Sequence, residues 1–330
     1  MATHLTASDY SPADRAVLDW LLASEEPAVR SLTRRDLLGD PTPLEPQQWL
    51  QGPWVRNLLA DQQPDGGFGV PPYSKWTGAH WRLVSLVELG VPPRYPPACT
   101  AADAVLDWLT GERHRSGIRV IDGLVRAHAS QEGNALAVAA RLGMADDPRA
   151  RLLAESLLAW QWPDGGWNCS MRAQGHRSSF HESLIPMWGL HEYSAATGDT
   201  EAAHAAHRTA ELLLEHRIFR SLRTGRPIHS TWTKLYYPPY WHYDILQSLL
   251  MLSRMRLAFD PRASDALALI EGRRRPDGTW AADGVRWRGP ESGHRPTEVV
   301  DWGDSGPNEM ITLNALRCLR AAGRIAGCAA

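Results

Sequence analysis

The chain has 330 residues, is 43% hydrophobic and 22% charged, and carries a formal net charge of −2. That composition fits a soluble globular protein and gives no overall field favouring nucleic acid or an anionic membrane. No apolar run approaches the ~20 residues that span a bilayer, and Met1-Ala2-Thr3-His4-Leu5 lacks the charged-then-apolar order of a signal peptide.

In chain order, residues 12–23 and 26–38 read as a helical hairpin, opened by Ser11 and Pro12 and closed by Gly39. Residues 46–61 form the next helix. The stretch after Lys75-Trp76-Thr77-Gly78-Ala79-His80-Trp81 is apolar on more than one side, so it is expected to be buried. Amphipathic 101–112 follows, then 118–142, whose small residues predict a helix packed on most sides. Helices 149–161, 178–197 and 200–217 come next, the last with His204, His207 and His216 on a solvated face. A Gly/Pro/aromatic loop, 220–239, holds Arg220, Arg223 and Arg226 just after Arg217, and these read as surface arginines. Helices 240–257, 262–274 and 307–323 complete the chain, with an irregular segment at 281–306 and almost no strand signal. Cys99, Cys169, Cys318 and Cys328 are scattered with no CxxC pair, which points to reduced thiols in a cytoplasm.

A short motif recurs at helix ends: Gln62 to Phe68, Gln161 to Trp167, and Arg274 to Trp280, with prolines at Pro64, Pro163 and Pro276. Pro-Asp-Gly stops a helix and supplies a glycine able to take positive φ. The aromatic beyond it can pack back on the helix it follows, and the Gln or Arg before it can donate to free terminal carbonyls. Each copy therefore reads as a helix-end clamp. Amphipathic helices alternate with more uniformly apolar ones, and a ring of helical hairpins buries both kinds. The expected fold is all-α, a single (α/α)6 toroid over residues 1–330, with the 1–40 hairpin part of the ring.

The Gln-x3-Gly-x-aromatic clamp resembles the QW repeat of the squalene–hopene cyclase and protein prenyltransferase β-subunit superfamily, with helical alternation in agreement from about Pro46 onward. The resemblance implies a barrel with a central apolar cavity for an isoprenoid-type ligand. The chain departs from it in lacking the Asp-x-Asp-Asp acid motif of the cyclases; Ala145-Asp146-Asp147-Pro148 reads instead as a turn and helix cap. It also lacks the Asp-x-Cys zinc pair of the prenyltransferases. Trp167-Asn168-Cys169 places a thiol just past the clamp, where a turn residue is expected.

Polar residues concentrate at the openings of the expected inner helices, whose N-termini carry free N–H groups. Asp244 and His242 form the expected acid–base pair, with His181, Glu182 and Asp301 as supporting or metal-binding groups. A carboxylic acid kept protonated by burial could protonate an apolar substrate, and aromatic faces could stabilise the cation. Trp76, His80, Tyr237, Tyr240, Trp241, Tyr243, Trp302, Asn308 and Glu309 are the expected ligand-binding residues. His181, His242 and Asp244 are acceptable ligand types for zinc. Capping alone is the competing account of Ser178, Ser179, Glu182, Asp244 and Glu309. The sequence thus predicts a cytoplasmic, bacterial-type cyclase-like or prenyltransferase-like enzyme with an apolar small-molecule ligand. A non-catalytic binding protein on the same barrel is the alternative, and a second subunit or homodimer is left open.

Overall fold

Proline placement sets many of the helix starts. Pro12, Pro27, Pro46, Pro53, Pro96 and Pro148 all sit in the first turn of a helix, where the missing N–H is not needed. The computed structural model describes residues 10–40, 42–289 and 297–325; Met1 to Leu5 and Cys328 lie outside them. The described residues are mostly helical: α1 (Pro12–Leu22), α2 (Pro27–Thr33), α3 (Pro46–Trp49), α4 (Pro53–Leu59), α5 (Ala79–Glu88), α6 (Pro96–Thr110), α7 (Glu112–Arg115), α8 (Ala129–Arg141), α9 (Pro148–Trp160), α10 (Phe180–Thr197), α11 (Thr200–Glu215), α12 (Ile245–Arg254), α13 (Ser264–Gly272) and α14 (Glu309–Ala321). No described helix is long and apolar enough to cross a membrane.

Three local readings differ from the sequence. Residues 118–128 do not join α8. They form an antiparallel hairpin of β1 (Arg119–Ile121) and β2 (Leu124–Arg126), turned by Asp122-Gly123, both at positive φ, a dipeptide suited to tight hairpins. Residues 46–61 split into α3 and α4 at Gly52-Pro53. Residues 240–244 precede α12 as an extended lead-in, with Asp244 as N-cap.

Helices α5, α8, α10, α12 and α14 are buried over much of their surface. Packing runs from α5 to α8, α8 to α10, α10 to α12, α12 to α14, and α14 to α2. The α8–α10 contact is the closest. A Cβ on Gly133 would lie 2.6 Å from the Pro186 nitrogen, and one on Gly189 would lie 2.4 Å from the Gly133 carbonyl oxygen.

The three clamps share one geometry. Backbone bonds close each turn: Gln63 N–H to Gly67 O (2.9 Å), Trp162 N–H to Gly166 O (2.8 Å) and Arg275 N–H to Thr279 O (2.9 Å). Trp167 and Trp280 donate their indole N–H groups back to Leu157 O in α9 (3.0 Å) and Ile270 O in α13 (2.7 Å). The residue before each turn does more than cap its own helix. Gln62 donates to Pro97 O in α6 (2.8 Å), and Gln161 to Ala205 O in α11 (2.9 Å). Arg274 pairs with Asp14 in α1 at 2.6 Å. Each turn glycine also lies against backbone of that same second helix: Gly66 at Thr100 O, Gly165 at Arg208 O, Gly278 at Ala13 O. Each clamp therefore ties the helix it ends to a second helix, and for the third that helix is α1.

At the C-terminal ends of the buried helices the structure is charged. Arg254 makes two bonds to Glu88 (2.9 and 2.7 Å), and Arg141 lies 3.5 Å from Glu88 and 3.4 Å from Glu192. Arg317 and Arg35 pair with Asp36. Arginines here complement the negative ends of α8, α12 and α14. Burial raises the Glu88 carboxyl, but Arg254 and Arg141 overcome it and hold the group below its ordinary value.

Two outcomes follow from these contacts. Gly165→Ala and Gly198→Ala both force alanine to a positive φ (93° and 79°), but only Gly165 faces backbone, 2.8 Å from Arg208 O, whereas Gly198 faces open space. Both variants are expected to lose about 1 kcal/mol to backbone strain, and Gly165→Ala clearly more in urea denaturation; equal losses would remove the clamp's contact with α11. Glu88→Ala leaves Arg254 and Arg141 without this carboxylate and is expected to cost about 3–5 kcal/mol, read from the same midpoint.

Candidate functional site

The segments leading into α5 and α12 come together with residues 285, 286 and 297 at a cleft of about 1000 Å3, walled by Phe68, Trp76, Trp241, His242, Val285 and Thr297 and edged by Lys75, Arg82 and Arg286. No carboxylate lines it among the described residues. Trp76 stacks on Tyr240 (centroids 3.6 Å apart, planes 8° apart) and donates its indole N–H to Arg286 O at 3.1 Å. Tyr240 is in turn hydrogen-bonded through its hydroxyl to buried Glu298. The wall is therefore rigid.

The cations differ in their commitments. Arg82 donates to Asn57 O, Leu58 O, Ala60 O and Thr77 O, so it mainly caps α4. Lys75 lies 5.6 Å from the Trp76 ring centroid and 5.2 Å from that of Trp241. Arg286 stacks on Tyr236 at 4.0 Å, and its Nε is buried without a partner among the described residues. Lys75 and Arg286 are thus the charges a ligand would meet.

Deeper inside, the segment Tyr237-Pro238-Pro239-Tyr240 lies among α5, α8, α10 and α12, and the pocket it lines there holds about 20 Å3, room for about one water. An isoprenoid chain does not fit that space as it stands.

The sequence-derived candidates separate into four groups. Trp76, Trp241 and His242 wall the cleft. His181 stands just behind, its ring centroid 5.5 Å from Trp241 and 6.4 Å from His242, with Nδ1 accepting from the Tyr243 N–H at 2.9 Å. Tyr237, Tyr240 and Tyr243 are interior; the Tyr243 hydroxyl donates to Ile218 O at 2.5 Å. Trp302 is buried between Trp54 and Tyr237. The third group lies at the start of α14: Asn308 caps it by accepting from Ile311 N–H (3.0 Å), whereas Glu309 accepts from the sequence-distant Ser24 hydroxyl (2.9 Å). Asp301 is exposed and accepts from Gly303 N–H at 2.9 Å, a turn contact. His80 is fully buried, bonded through Nε2 to Asn134 at 3.2 Å.

His242 and Asp244 do not form a hydrogen-bonded pair among the described residues. His242 Nδ1 faces Pro239 O at 3.2 Å, while Asp244 Oδ1 caps α12 by accepting from Gln247 N–H at 2.9 Å. Burial, then Arg286, pushes His242 down to about 3. Burial also pushes Asp244 up to about 7, with its Oδ2 buried and unpartnered. Asp244 thus combines a cap on α12 with a carboxyl displaced upward by burial. His181, burdened by burial and Arg286, is likewise lowered.

The His181, His242 and Asp244 set is not the one the structure brings within metal-binding reach. Among the described residues that set is His128, Cys169 and Glu182, their ligand atoms all within 4.8 Å of one another. Glu182 was legible as a first-turn acid. Cys169 read only as a turn residue and His128 carried no signal at all, because the three come together only through tertiary contacts. Of the remaining readings, Asp147 caps α9 through Arg149 N–H (2.8 Å), and Arg217 and Arg220 flank Asp265 at 3.7 and 2.6 Å.

His80 gives a pH signature. Burial pushes its pKa down to about 3 from 6.5. Above 6.5 its stability contribution is fully present. As pH falls from 6.5 toward 3 the unfolded chain binds a proton the fold refuses, and stability drops by up to about 1.4 kcal/mol per pH unit. His80→Gln should shallow the fall in urea midpoint over that window by about one proton; an unchanged slope would show that His80 does not titrate as described.

Compared with known proteins, the chain matches no family model and no curated protein.

Proposed function

We propose that this chain is a closed ring of helical hairpins, of the architecture of the terpenoid cyclase and prenyltransferase superfamily it resembles, and that its ligand site is the mouth of the ring. The three clamps support the ring: each grips a second helix, and the third, on α13, grips α1.

The ligand is an apolar molecule with an anionic head, of the prenyl diphosphate class. The observation that carries this is the make-up of the cleft, with aromatic walls, Lys75 and Arg286 at the edge and no described carboxylate. The apolar chain lies against Trp76, Trp241 and Phe68, and the head meets the two cations. The chemistry that suits this wall is cleavage of the allylic C–O bond. The diphosphate departs with the electron pair toward Lys75 and Arg286, the aromatic faces hold the cation, and neutral His242 is the proton acceptor on the wall. Asp244 and His181 position that wall from behind. A binding role without turnover is the second reading, favoured by the small interior pocket of about 20 Å3.

Titration with farnesyl diphosphate tests this. Lys75→Ala and Arg286→Ala should each weaken binding about 10-fold or more, the worth of a hydrogen bond to a charged group, while leaving farnesol binding unchanged. Trp241→Ala should weaken both ligands. Unchanged diphosphate affinity in the charge variants would sink the site. Binding that behaves as expected with no product from wild type selects the second reading, whereas turnover abolished in His242→Ala selects the first.

A further inference from the structure

We propose that His128, Cys169 and Glu182 form a zinc-class divalent metal site, independent of the ligand reading of the cleft. The three side chains come from three separate elements. His128 is the residue before α8, Cys169 follows the second clamp, and Glu182 is in the first turn of α10. Their ligand atoms lie within 4.8 Å of one another, with His128 Nδ1 and Glu182 Oε1 at 3.2 Å. In a zinc tetrahedron with bonds of 2.0–2.3 Å, ligand atoms are about 3.3–3.8 Å apart, so the set closes by adjustments of at most about 1.5 Å. Imidazole, thiolate and carboxylate are together a zinc donor set.

Supports for the ligands are already in place. Glu182 Oε2 accepts the Ser130 N–H at 3.0 Å, which leaves Oε1 toward His128. The Cys169 backbone is held from both sides. Asn168 donates its side-chain N–H to Arg177 O (2.8 Å) and accepts from Ser170 N–H (2.9 Å). Asn168 also bridges to Arg126 of β2, and Trp162 donates to Val125 O at 2.8 Å, which ties the clamp to the strand leading to His128. Fixed partners behind the ligands are what tune metal sites.

The His128 side chain is 64% exposed while that of Glu182 is 9% exposed. The site is thus anchored inside and open outside. Three protein ligands with solvent at the fourth position is the arrangement of a reactive zinc rather than a closed structural one.

The test uses the full chain, stripped with a chelator and titrated with Co2+. One equivalent should bind, with a near-ultraviolet thiolate-to-cobalt charge-transfer band and a visible band of tetrahedral intensity, both bleached by Zn2+. Cys169→Ser should lose the charge-transfer band. His128→Ala, an exposed change that circular dichroism should show to be folded, should weaken binding by at least the about 10–100-fold that outer-shell changes cost. Cys99→Ser should match wild type. Absence of a charge-transfer band in wild type, or its persistence in Cys169→Ser, would overturn the assignment.

Discussion

The interaction on which the molecule depends is the reach of each clamp to a second helix, α6, α11 or α1. A helix end must find partners for its free carbonyls, and a local cap would suffice for that. Here Gln62, Gln161 and Arg274 spend their donors partly on a neighbouring helix, at Pro97, Ala205 and Asp14. The turn glycines remove the Cβ that would hold those helices apart. A device that ends one helix thus also fixes the distance to another, and repetition turns a local cap into a rule for the whole layer.

Much of this was legible because it is short-range chemistry. Pro-Asp-Gly and the aromatic after it announce the clamp, and proline marks several helix starts. The burial of α5 and α8 followed from apolar and small residues on most faces. What failed to show did so for physical reasons. Helical small residues masked the Asp122-Gly123 hairpin in a segment read as one helix. The forward reach of Gln161 needs Ala205, 44 residues away, and no local pattern encodes that. The segment at Tyr237 to Tyr240 looked like ligand-binding aromatics, since a Tyr that lines a cavity and a Tyr that fills one have the same sequence.

The expected site residues show the same division. His80, His181, Glu182, Asp244, Asn308 and Glu309 sit at the helix openings that helix-opening logic selects, whereas Tyr237 reaches as far as Glu88, and that logic cannot say which way a first-turn side chain faces. Consecutive residues in a helix point about 100° apart. Accordingly His181 turns toward Trp241 and Glu182 toward His128. One helix opening serves two environments, an aromatic cleft edged with positive charge and a small acidic cluster around an imidazole. Capping and function are also not exclusive, since Asp244 caps α12 and is still a carboxyl displaced toward neutrality by its burial.

The grip of the third clamp on α1 sets an order in time. Arg274 meets Asp14, Ser24 meets Glu309 across 285 positions, and Arg320 meets the Asp36 carbonyl across 284. Asp14, Ser24 and Asp36 therefore gain these partners only once residues 274 to 320 have been made. Closing so long a loop brings its entropic cost forward of its reward. Until then the apolar surface that α14 covers on α2 is open to chaperones and to aggregation.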